Sequence, residues 1–403
     1  MSMMTMKADP QRIDALNRDY EAAFGTVPSR YFSAPGRTEI CGNHTDHQRF
    51  HVLAAAVDLD TVAAVGLNGT DEICLQSQGY PLCRVSLTDL EPREAEYDTT
   101  LALIRGVAAK FRSLGCKLSG FNAYVESQVL PGSGLSSSAA FEVLVGTILN
   151  GLFFEGQATA EEIAQYAQYA ENVYFGKPCG LMDQMASSVG NLVEIDFLNQ
   201  EHPVVTPLEF DFSKTGHALC IIDSRASHAN LTDEYAAIPR ELAKISAHFG
   251  KEVLSQIPET EFYTAVPTLR KRCGDRAVLR AVHIYQEDRW VVQAVRALKD
   301  NAFDRFLQLL RESGHSSFMY LQNVTPAGQV EAQDMAVTLA LCEHYLEGTG
   351  AYRINGGGFA GTAMAFVPLE RLEQFRAGLD GALGAGACHI LSIRPQGGVE
   401  LEV

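Results

Sequence analysis

The sequence has no excess of basic residues. Lysine and arginine together number 32, against 49 aspartate and glutamate residues, so the formal net charge is −17. Nucleic acid and anionic membranes both require a basic face on the protein that binds them. The charge balance therefore argues against either as the main partner, although local basic residues can still serve a small phosphate ligand.

The sequence also shows no CxxC cysteine pairs, no pattern typical of a signal peptide and no run of residues typical of a membrane span. The nine cysteines form no CxxC pair, so neither a zinc site nor a set of disulfides is indicated. Scattered, odd-numbered thiols are typical of reduced, buried cysteines in the cytosol. The N-terminal stretch MSMMTMKADPQR has no apolar core of the kind that signal peptides carry. We therefore predict a cytoplasmic protein.

The chain is long enough for about two domains with substantial cores. It has 403 residues, of which 46% are hydrophobic and 20% are charged, as is ordinary for a globular protein. After Asn199 the sequence pattern changes to a segment interrupted by prolines. We place the boundary there and predict an N-terminal domain over 1–200 and a C-terminal domain over 201–403.

Hydrophobic periodicity predicts which elements carry the polar motifs. Helices that end at a glycine are predicted at 9–24, 99–115 and 159–176. Strands are predicted at 31–37, 51–67, 72–78 and 120–130. Beyond the boundary, the pattern predicts strands over 210–225, helices from about 230 to 315, and strands again around 353–368.

A glycine-serine loop, GSGLSSSAA over 132–140, separates a predicted strand from a strongly apolar helix. Small residues let phosphate oxygens approach the main chain, and a helix N-terminus attracts an anion. A flexible turn is the plain alternative, and the apolar helix that follows favours phosphate. The loop is not a Walker A motif, because the chain has no GxxxxGK[ST].

A second glycine-rich stretch, GGGFAG over 356–361, formally matches the dinucleotide-binding pattern GxGxxG. The residues that follow it, TAMAFV, are typical of a strand. The pattern therefore predicts no helix N-terminus at which a pyrophosphate could bind. A dehydrogenase is therefore only a minor alternative.

Two carboxylates flank the segment NVYFGKPCGLM, Glu171 on a predicted helix and Asp183 after a turn. A loop carboxylate beside a phosphate site can bind a metal ion or accept a proton from an attacking hydroxyl. Asp183 can equally be the N-cap of the helix that follows, and spacing alone favours the cap.

The densest polar cluster runs from Arg37 to His47, within SAPGRTEICGNHTDHQRF. A solvated turn is the default interpretation of Asn, Asp and Thr in a loop. However, His44 and Asp46 lie between apolar segments and offer the mixed donors and acceptors that a sugar requires. Arg37 can stabilise charge on a transferring phosphoryl group.

Taken in order, these motifs resemble those of the GHMP kinases and, within them, the galactokinases. The resemblance rests on Pro35-Gly36-Arg37, the box Gly42-Asn43-His44-Thr45-Asp46, the GLSSSA run over 134–139, CGLMDQ over 179–184 and GGGFAGT over 356–362. It implies a two-domain α+β fold. The N-terminal domain would resemble ribosomal protein S5 domain 2, the C-terminal domain would be ferredoxin-like, and the active site would lie between them.

The resemblance implies an ATP- and Mg²⁺-dependent sugar 1-kinase that phosphorylates the anomeric hydroxyl of galactose. Asp183 would take the proton, and Arg37 would lower the pKa of Asp183 and stabilise the transition state. Ser138 and Glu171 would hold Mg²⁺. The implied ATP phosphate loop comprises Gly132, Ser133, Gly134, Leu135, Ser136, Ser137 and Ser138. The implied sugar site comprises Arg37, Asn43, His44, Asp46, Gly180, Asp183 and Tyr235, with His44 toward the C6 end.

Departures from the family pattern bear on which sugar is bound. Galactokinases carry Glu at position 43, where it contacts the C6 hydroxyl, and this chain has Asn43. Further departures are Gln48, Phe50, Ala54 and the displaced proline Pro131, with Leu130 in its usual place. Galacturonokinases also replace that Glu and have a similar Asp-His-Gln run, and Arg49 is a candidate cation for a C6 carboxylate.

Three hypotheses follow: a galactokinase, a kinase of galacturonate or another C6-variant sugar, and a sugar sensor without turnover. Sensors of this kind lose residues from the GLSSSA run, which is complete here. The sequence leaves the oligomeric state open.

Overall fold

The computed structural model describes residues 5–129, 134–177, 179–200, 202–227 and 231–403. These residues form an α+β structure with one large and one small β-sheet. The strands are β1 (Thr5–Lys7), β2 (Arg30–Cys41), β3 (His51–Leu67), β4 (Glu72–Ser77), β5 (Cys83–Ser86), β6 (Phe121–Ser127), β7 (Leu192–Asp196), β8 (Val204–Leu208), β9 (His217–Asp223), β10 (Ala351–Asn355), β11 (Thr362–Pro368), β12 (Cys388–Leu391) and β13 (Val399–Glu402). The helices are α1 (Pro10–Phe24), α2 (Thr100–Ser113), α3 (Ser137–Phe153), α4 (Ala160–Tyr169), α5 (Met182–Val189), α6 (Thr232–His248), α7 (Glu259–Cys273), α8 (Asp275–Lys299), α9 (Phe303–Ser316), α10 (Asp334–Leu346) and α11 (Leu372–Leu383).

The large sheet is built around the long strand β3. Its strand order is β1-β13-β2-β3-β6-β4-β5, and β7 pairs with the first part of β3 while β8 pairs with β7. Strand β2 runs antiparallel to β3, and the pairing register shifts between Pro35 and Arg37 and again between Glu39 and Cys41. Such irregularities are typical of β-bulges, which re-aim side chains near functional sites.

Helices cover both faces of the large sheet. Because strand side chains alternate, Ala63 and Val65 of β3 pack beneath helices α2, α3 and α4, while Val62 and Ala64 pack against α1. Helix α1 begins at Pro10 after the cap Asp9 and ends at Gly25 in the left-handed conformation.

The small sheet has the order β10-β11-β9-β12 and is antiparallel throughout. Helices α8 and α9 lie between it and the large sheet. One buried cluster combines side chains of both sheets and both helices, among them Ile40, Leu53, Val291, Leu310, Met364 and Phe366. The other face of the small sheet packs on α10 and α11. The two sheets therefore share a core.

The α+β class and most predicted elements are confirmed. One strand prediction is partly wrong: of 210–225, only β9 is a strand, and Phe212–Thr215 forms a short 3₁₀ turn instead. The side chain of Asp211 accepts hydrogen bonds from the backbone and hydroxyl of Ser213, which favours a turn over an extended strand. In the part of the chain that the structure describes, no helix is both long and apolar enough to cross a membrane.

The domain boundary at residue 200 stays a prediction. Strands β8 and β13 lie beyond it in sequence, yet they belong to the large sheet. Any C-terminal unit that begins at 201 therefore contributes strands to the sheet of the N-terminal unit.

Candidate active site

Most of the residues singled out in the sequence line a single cavity of about 1170 Å³. That volume exceeds the typical small-molecule site of about 300–1000 Å³ and leaves room for more than one ligand. The predicted site residues that line it are Arg37, Asn43, His44, Asp46, Gly134, Ser136, Ser137, Ser138, Glu171, Gly180, Asp183 and Tyr235. The late glycine stretch forms another wall.

Three predicted phosphate-loop residues are not placed in this cavity. The side chain of Leu135 is buried, and its carbonyl accepts the backbone N–H of Arg37 at 3.0 Å. Gly132 and Ser133 lie outside the residues that the structure describes, as do Leu130 and Pro131.

Arg37 and Asp183 form a two-bond ion pair at the centre of the cavity. Arg37 Nε and one terminal nitrogen donate to the two carboxylate oxygens of Asp183 at 2.6 and 2.7 Å, and Ser136 Oγ donates to the same carboxylate at 2.6 Å. Burial alone would raise the pKa of Asp183, but the charge of Arg37 outweighs it and the pKa is lowered. Asp183 is therefore an ionised carboxylate.

The N-cap interpretation of Asp183 is wrong. Helix α5 begins at Met182, its cap position is Leu181, and no side chain bonds the helix end. Asp183 lies inside the first turn with its carboxylate committed to Arg37 and Ser136, so it cannot also cap the backbone.

The GLSSSA run leads into helix α3, as predicted. Gly134 has φ +69°, and a Cβ there would lie 2.0 Å from Thr362 Oγ1, so only glycine fits. Ser136 also has a positive φ, 56°, which is rare for a residue with a side chain and concentrates at functional sites. Ser137 and Ser138 form the start of α3, where unpaired backbone N–H groups favour an anion.

Glu171 lies on a π-helical turn, Ala170–Phe175, that continues α4. Its side chain is buried at the cavity wall and accepts hydrogen bonds from Gln184 Nε2 at 2.7 Å and Cys179 Sγ at 3.0 Å. Lys177 Nζ lies 3.5 Å from its other oxygen. Burial would lower the pKa of Lys177, but Glu171 more than compensates and the pKa is raised, so a cation stays at this wall.

Asp46 lines the cavity and lies against Gly180. A Cβ on Gly180 would lie 2.1 Å from Asp46 Oδ2, so the absence of a side chain at 180 creates the space that the carboxylate occupies. Among the described residues, no donor bonds the Asp46 carboxylate, which leaves its oxygens available to a ligand. Tyr235 also lines the cavity and donates its hydroxyl to the carbonyl of Gly358 at 2.7 Å.

His44 is held by a chain of hydrogen bonds that fixes its tautomer. Burial, then the neighbouring His47, lower the pKa of His44 to about 3, so the ring is neutral. His44 Nε2 lies 3.1 Å from the carbonyl of Gly357 and must donate to it, which leaves Nδ1 to accept from His47 Nε2 at 3.1 Å. His44 therefore lines the cavity with both nitrogens bonded to protein, and its predicted reach toward C6 stays a prediction.

Asn43 is fully buried at the cavity wall, and its amide is oriented by three partners. Nδ2 donates to Glu39 Oε1 at 3.0 Å and to the carbonyl of Gly356 at 2.7 Å, while Oδ1 accepts from Asn323 Nδ2 at 2.8 Å.

Arg49, the candidate cation for a C6 carboxylate, does not line the cavity. It pairs with Glu252 at 2.9 Å instead. Because Arg49 is not among the residues that line the cavity, that suggestion is wrong.

The motif analysis missed Glu39, Lys177 and Asn355, all of which line the cavity. A signal for Glu39 was present, because residues two apart on a strand lie on one face and Glu39 follows Arg37 by two. Asn355 comes from the small sheet, at the end of β10, and no local pattern in the sequence indicates that it approaches β2.

Comparison with known proteins identifies the family to which the sequence is similar. The family model of the GHMP kinases N terminal domain matches residues 102–191, and that of the galactokinase galactose-binding signature matches residues 18–67. Galactokinase from Streptomyces coelicolor is 30% identical over 370 residues, which cover 91% of this chain and 92% of that protein. Human galactokinase is 32% identical over 365 residues, 87% of this chain and 86% of that protein.

Comparison with solved structures identifies proteins of the same fold. The crystal structure of Lactococcus lactis galactokinase in complex with galactose superimposes with a TM-score of 0.82 at 24% identity, covering 96% of this chain and 99% of that one. The fold is that of a GHMP kinase, a phosphotransferase that uses ATP. Within that class, the chain belongs to the galactokinase family. The two-domain GHMP fold predicted from the resemblance is thereby confirmed.

Proposed function

We propose that this chain transfers the γ-phosphoryl group of ATP to the anomeric C1 hydroxyl of galactose, giving galactose 1-phosphate and ADP. The observation that carries the proposal is the Arg37–Asp183 pair, which lies between a phosphate-binding helix end and a pocket with an unpartnered carboxylate, Asp46. Phosphoryl transfer needs both ligands in line, and the cavity has room for both.

Asp183 is the proposed proton acceptor. Its lowered pKa keeps it ionised, so it can accept a hydrogen bond from the C1 hydroxyl and then its proton as the new O–P bond forms. A carboxylate of low pKa is a weak base. In a loose transition state, however, positioning and charge stabilisation count for more than basicity. Arg37, which orients Asp183, also supplies positive charge for the transferring phosphoryl group.

The proposed phosphate site comprises Gly134 through Ser138 and the start of α3, with Lys177 nearby. The proposed sugar site comprises Asn43, His44, Asp46, Gly180 and Tyr235, which line the same cavity. We place the enzyme in the cytoplasm, where ATP is available and where its nine unpaired thiols would stay reduced.

A magnesium ion fits the residues at the phosphate end. Mg²⁺ prefers oxygen ligands and is usually held by one or two protein groups together with substrate phosphates. Glu171 and Ser138 offer one carboxylate and one hydroxyl to the same cavity, and no cluster of three metal-binding side chains occurs in the described ranges. That donor set suits an ion that arrives with ATP. Bound there, Mg²⁺ would neutralise charge on the phosphates.

The first test measures ADP release with Mg-ATP against galactose and galacturonate in parallel, with glucose and N-acetylgalactosamine as controls. We expect a clear preference for galactose, because Arg49, the candidate cation for a C6 carboxylate, pairs with Glu252 and does not line the cavity. A preference for galacturonate would contradict the proposed substrate. Inactivity on every sugar would contradict the kinase and favour the sensor.

Asp183→Asn tests the proposed base. Turnover should fall by about 100-fold or more because the amide cannot accept the proton, while galactose binding measured by calorimetry should persist. The matched control is Asp211→Asn, an exposed aspartate outside the cavity, which should keep full turnover. Near-normal turnover of Asp183→Asn would show that another group accepts the proton.

A further inference from the structure

Glu39 is a buried carboxylate at the cavity wall to which the family resemblance assigns no role. It is 3% exposed and lies on β2, two residues after Arg37, so the two side chains lie on the same face of the strand. Both line the cavity. A charged group buried this deeply needs partners, and its two oxygens differ in what they have.

One oxygen of Glu39 is fully engaged with protein. Oε1 accepts from Asn43 Nδ2 at 3.0 Å and from a terminal nitrogen of Arg353 at 3.1 Å. The other oxygen, Oε2, accepts a hydrogen bond from none of the described residues, and it is not among the polar atoms that are fully enclosed without a partner. Oε2 is thus the atom that Glu39 presents to the cavity.

The neighbouring carboxylate Glu287 shows the contrast. It is completely buried beneath the same arginine, it does not line the cavity, and its unpartnered oxygen is fully enclosed. Its other oxygen accepts the backbone N–H groups of Gly42 and Asn43 at 2.9 and 3.1 Å. Glu287 therefore supports the turn, whereas Glu39 reaches the ligand space.

Asn43 has no free hydrogen with which to donate a hydrogen bond to a ligand. Its amide has two hydrogens, and both are used, one on Glu39 and one on the carbonyl of Gly356. Its oxygen already accepts from Asn323. Rotating the amide would set its oxygen against two acceptors, so the observed orientation is strongly preferred.

We infer that Glu39 is a sugar-binding residue in this enzyme, that its Oε2 accepts a hydrogen bond from a substrate hydroxyl, and that Asn43 positions Glu39. This inference rests on the proposed sugar kinase function. It also identifies the class of substrate group at this wall, a neutral hydroxyl that donates, since a carboxylate there would face Glu39 and the acceptor atoms of Asn43 and Gly356.

The charge balance around Glu39 supports the same conclusion. Arg353 is fully buried and already shared between Glu39 and Glu287, at 3.1 and 3.7 Å. Because this one guanidinium faces two carboxylates, Arg353 has no uncompensated charge to offer an anionic substrate. A uronate at this position would add a third carboxylate to the cluster.

The test compares wild type with Glu39→Gln on galactose and on the 2-, 3-, 4- and 6-deoxy analogues, measuring kcat/KM. We expect the variant to lose about tenfold or more on galactose, as when a hydrogen bond to a charged group is lost. On the one analogue that lacks the contacted hydroxyl, wild type and variant should become nearly equal. A penalty of the same size on every analogue would overturn the inference.

Glu287→Gln is the matched control, because it removes a carboxylate from the same arginine without facing the cavity. Its effect should be uniform across the sugars, and a selective effect would overturn the assignment to Glu39. If Glu39→Gln does not fold, Glu39→Asp keeps the charge on Arg353 while withdrawing the oxygen, and the same pattern is expected. Inactivity of wild type on galactose itself would overturn the proposed function as well, whereas activity with a uniform penalty overturns this inference alone.

Discussion

Individual side chains in the cavity are tuned by burial and by one or two neighbours. Asp183 has a lowered pKa because Arg37 outweighs burial. Burial raises the pKa of Glu39 to about 7, with Arg353 opposing the rise and Glu287 adding to it. His44 is neutral because burial and His47 lower its pKa to about 3. Of the three, only Glu39 changes its charge near neutral pH.

A pH profile should separate these groups. As the pH falls through about 7, Glu39 gains a proton and its oxygen becomes a weaker acceptor, so kcat/KM for galactose should drop about tenfold between about pH 8 and 6. The charged groups around it are Arg37 on β2, Arg353 on β10 and Glu287 on α8. The drop should be absent from Glu39→Gln. The kcat at saturating galactose should stay level, because Asp183 remains ionised; an equal fall in kcat would contradict this assignment.

Gly180→Ala tests the close packing at the proposed sugar site. The new Cβ would lie 2.1 Å from Asp46 Oδ2 and displace the carboxylate. We expect KM for galactose to rise about tenfold or more and KM for ATP to change little. Gly381→Ala is the matched control, since a Cβ there meets nothing within 4 Å. An unchanged KM for galactose would show that Asp46 does not hold the sugar.

At the scale of elements, irregular backbone borders the cavity on three sides. His44 and Ser136 have φ of 63° and 56°, and Glu171 lies on a π-helical turn. Both kinds of irregularity concentrate at functional sites because the surrounding structure must hold them in place. Each of the three residues is held by a hydrogen bond: His44 to Gly357, Ser136 to Asp183, and Glu171 to Gln184.

Gly134→Ala tests the loop that precedes α3. The change strains a left-handed residue and drives a Cβ to 2.0 Å from Thr362 Oγ1, so KM for ATP should rise about tenfold or turnover should be lost. Gly25→Ala is the matched control. Gly25 has nearly the same φ, +68°, a Cβ there would meet nothing within 4 Å, and the residue lies outside the cavity. This substitution should lower stability by about 1 kcal/mol while leaving KM for ATP unchanged. Equal kinetics for both variants would mean that the loop does not cradle phosphate.

At the scale of the whole molecule, a buried polar cluster connects the two sheets. Arg353 lies on β10 of the small sheet and donates to the carbonyl of Ile40 on β2 of the large sheet at 2.9 Å, as well as to Glu39. The same cluster supports the turn after β2 through Glu287 on α8. The cavity is therefore formed by both sheets, and its walls depend on how the sheets are held together.

Arg353→Met tests this connection. Removing the cation leaves Glu39 and Glu287 buried without their partner, so the free energy of unfolding should fall by about 3–5 kcal/mol. Urea denaturation measures the change. Arg296→Met is the matched control: its ion pair with Asp300 is exposed on α8, and its loss should have little effect. Equal stability of the two variants would show that the buried cluster does not connect the sheets.

The sequence alone determined the elements and the motifs. Hydrophobic periodicity placed helix α1, strand β3 and the start of α3, because each is a local consequence of side-chain pattern and backbone preference. The glycine and serine positions indicated the phosphate loop for the same reason, since glycine at a positive φ is a local requirement. The strand after GGGFAG was also predictable, and it removed the dehydrogenase alternative.

Tertiary structure decided what each side chain does. Spacing favoured Asp183 as a cap, yet Arg37, far away in sequence, takes its carboxylate. The sequence shows that position 43 carries no negative charge, but it does not show what surrounds that position. Asn43 bonds Glu39 and Asn323, and Glu39 bonds Arg353; only the packing of the two sheets brings these residues together. Protonation and orientation depend on distances of 3 to 4 Å between residues hundreds of positions apart, and no local pattern encodes such distances.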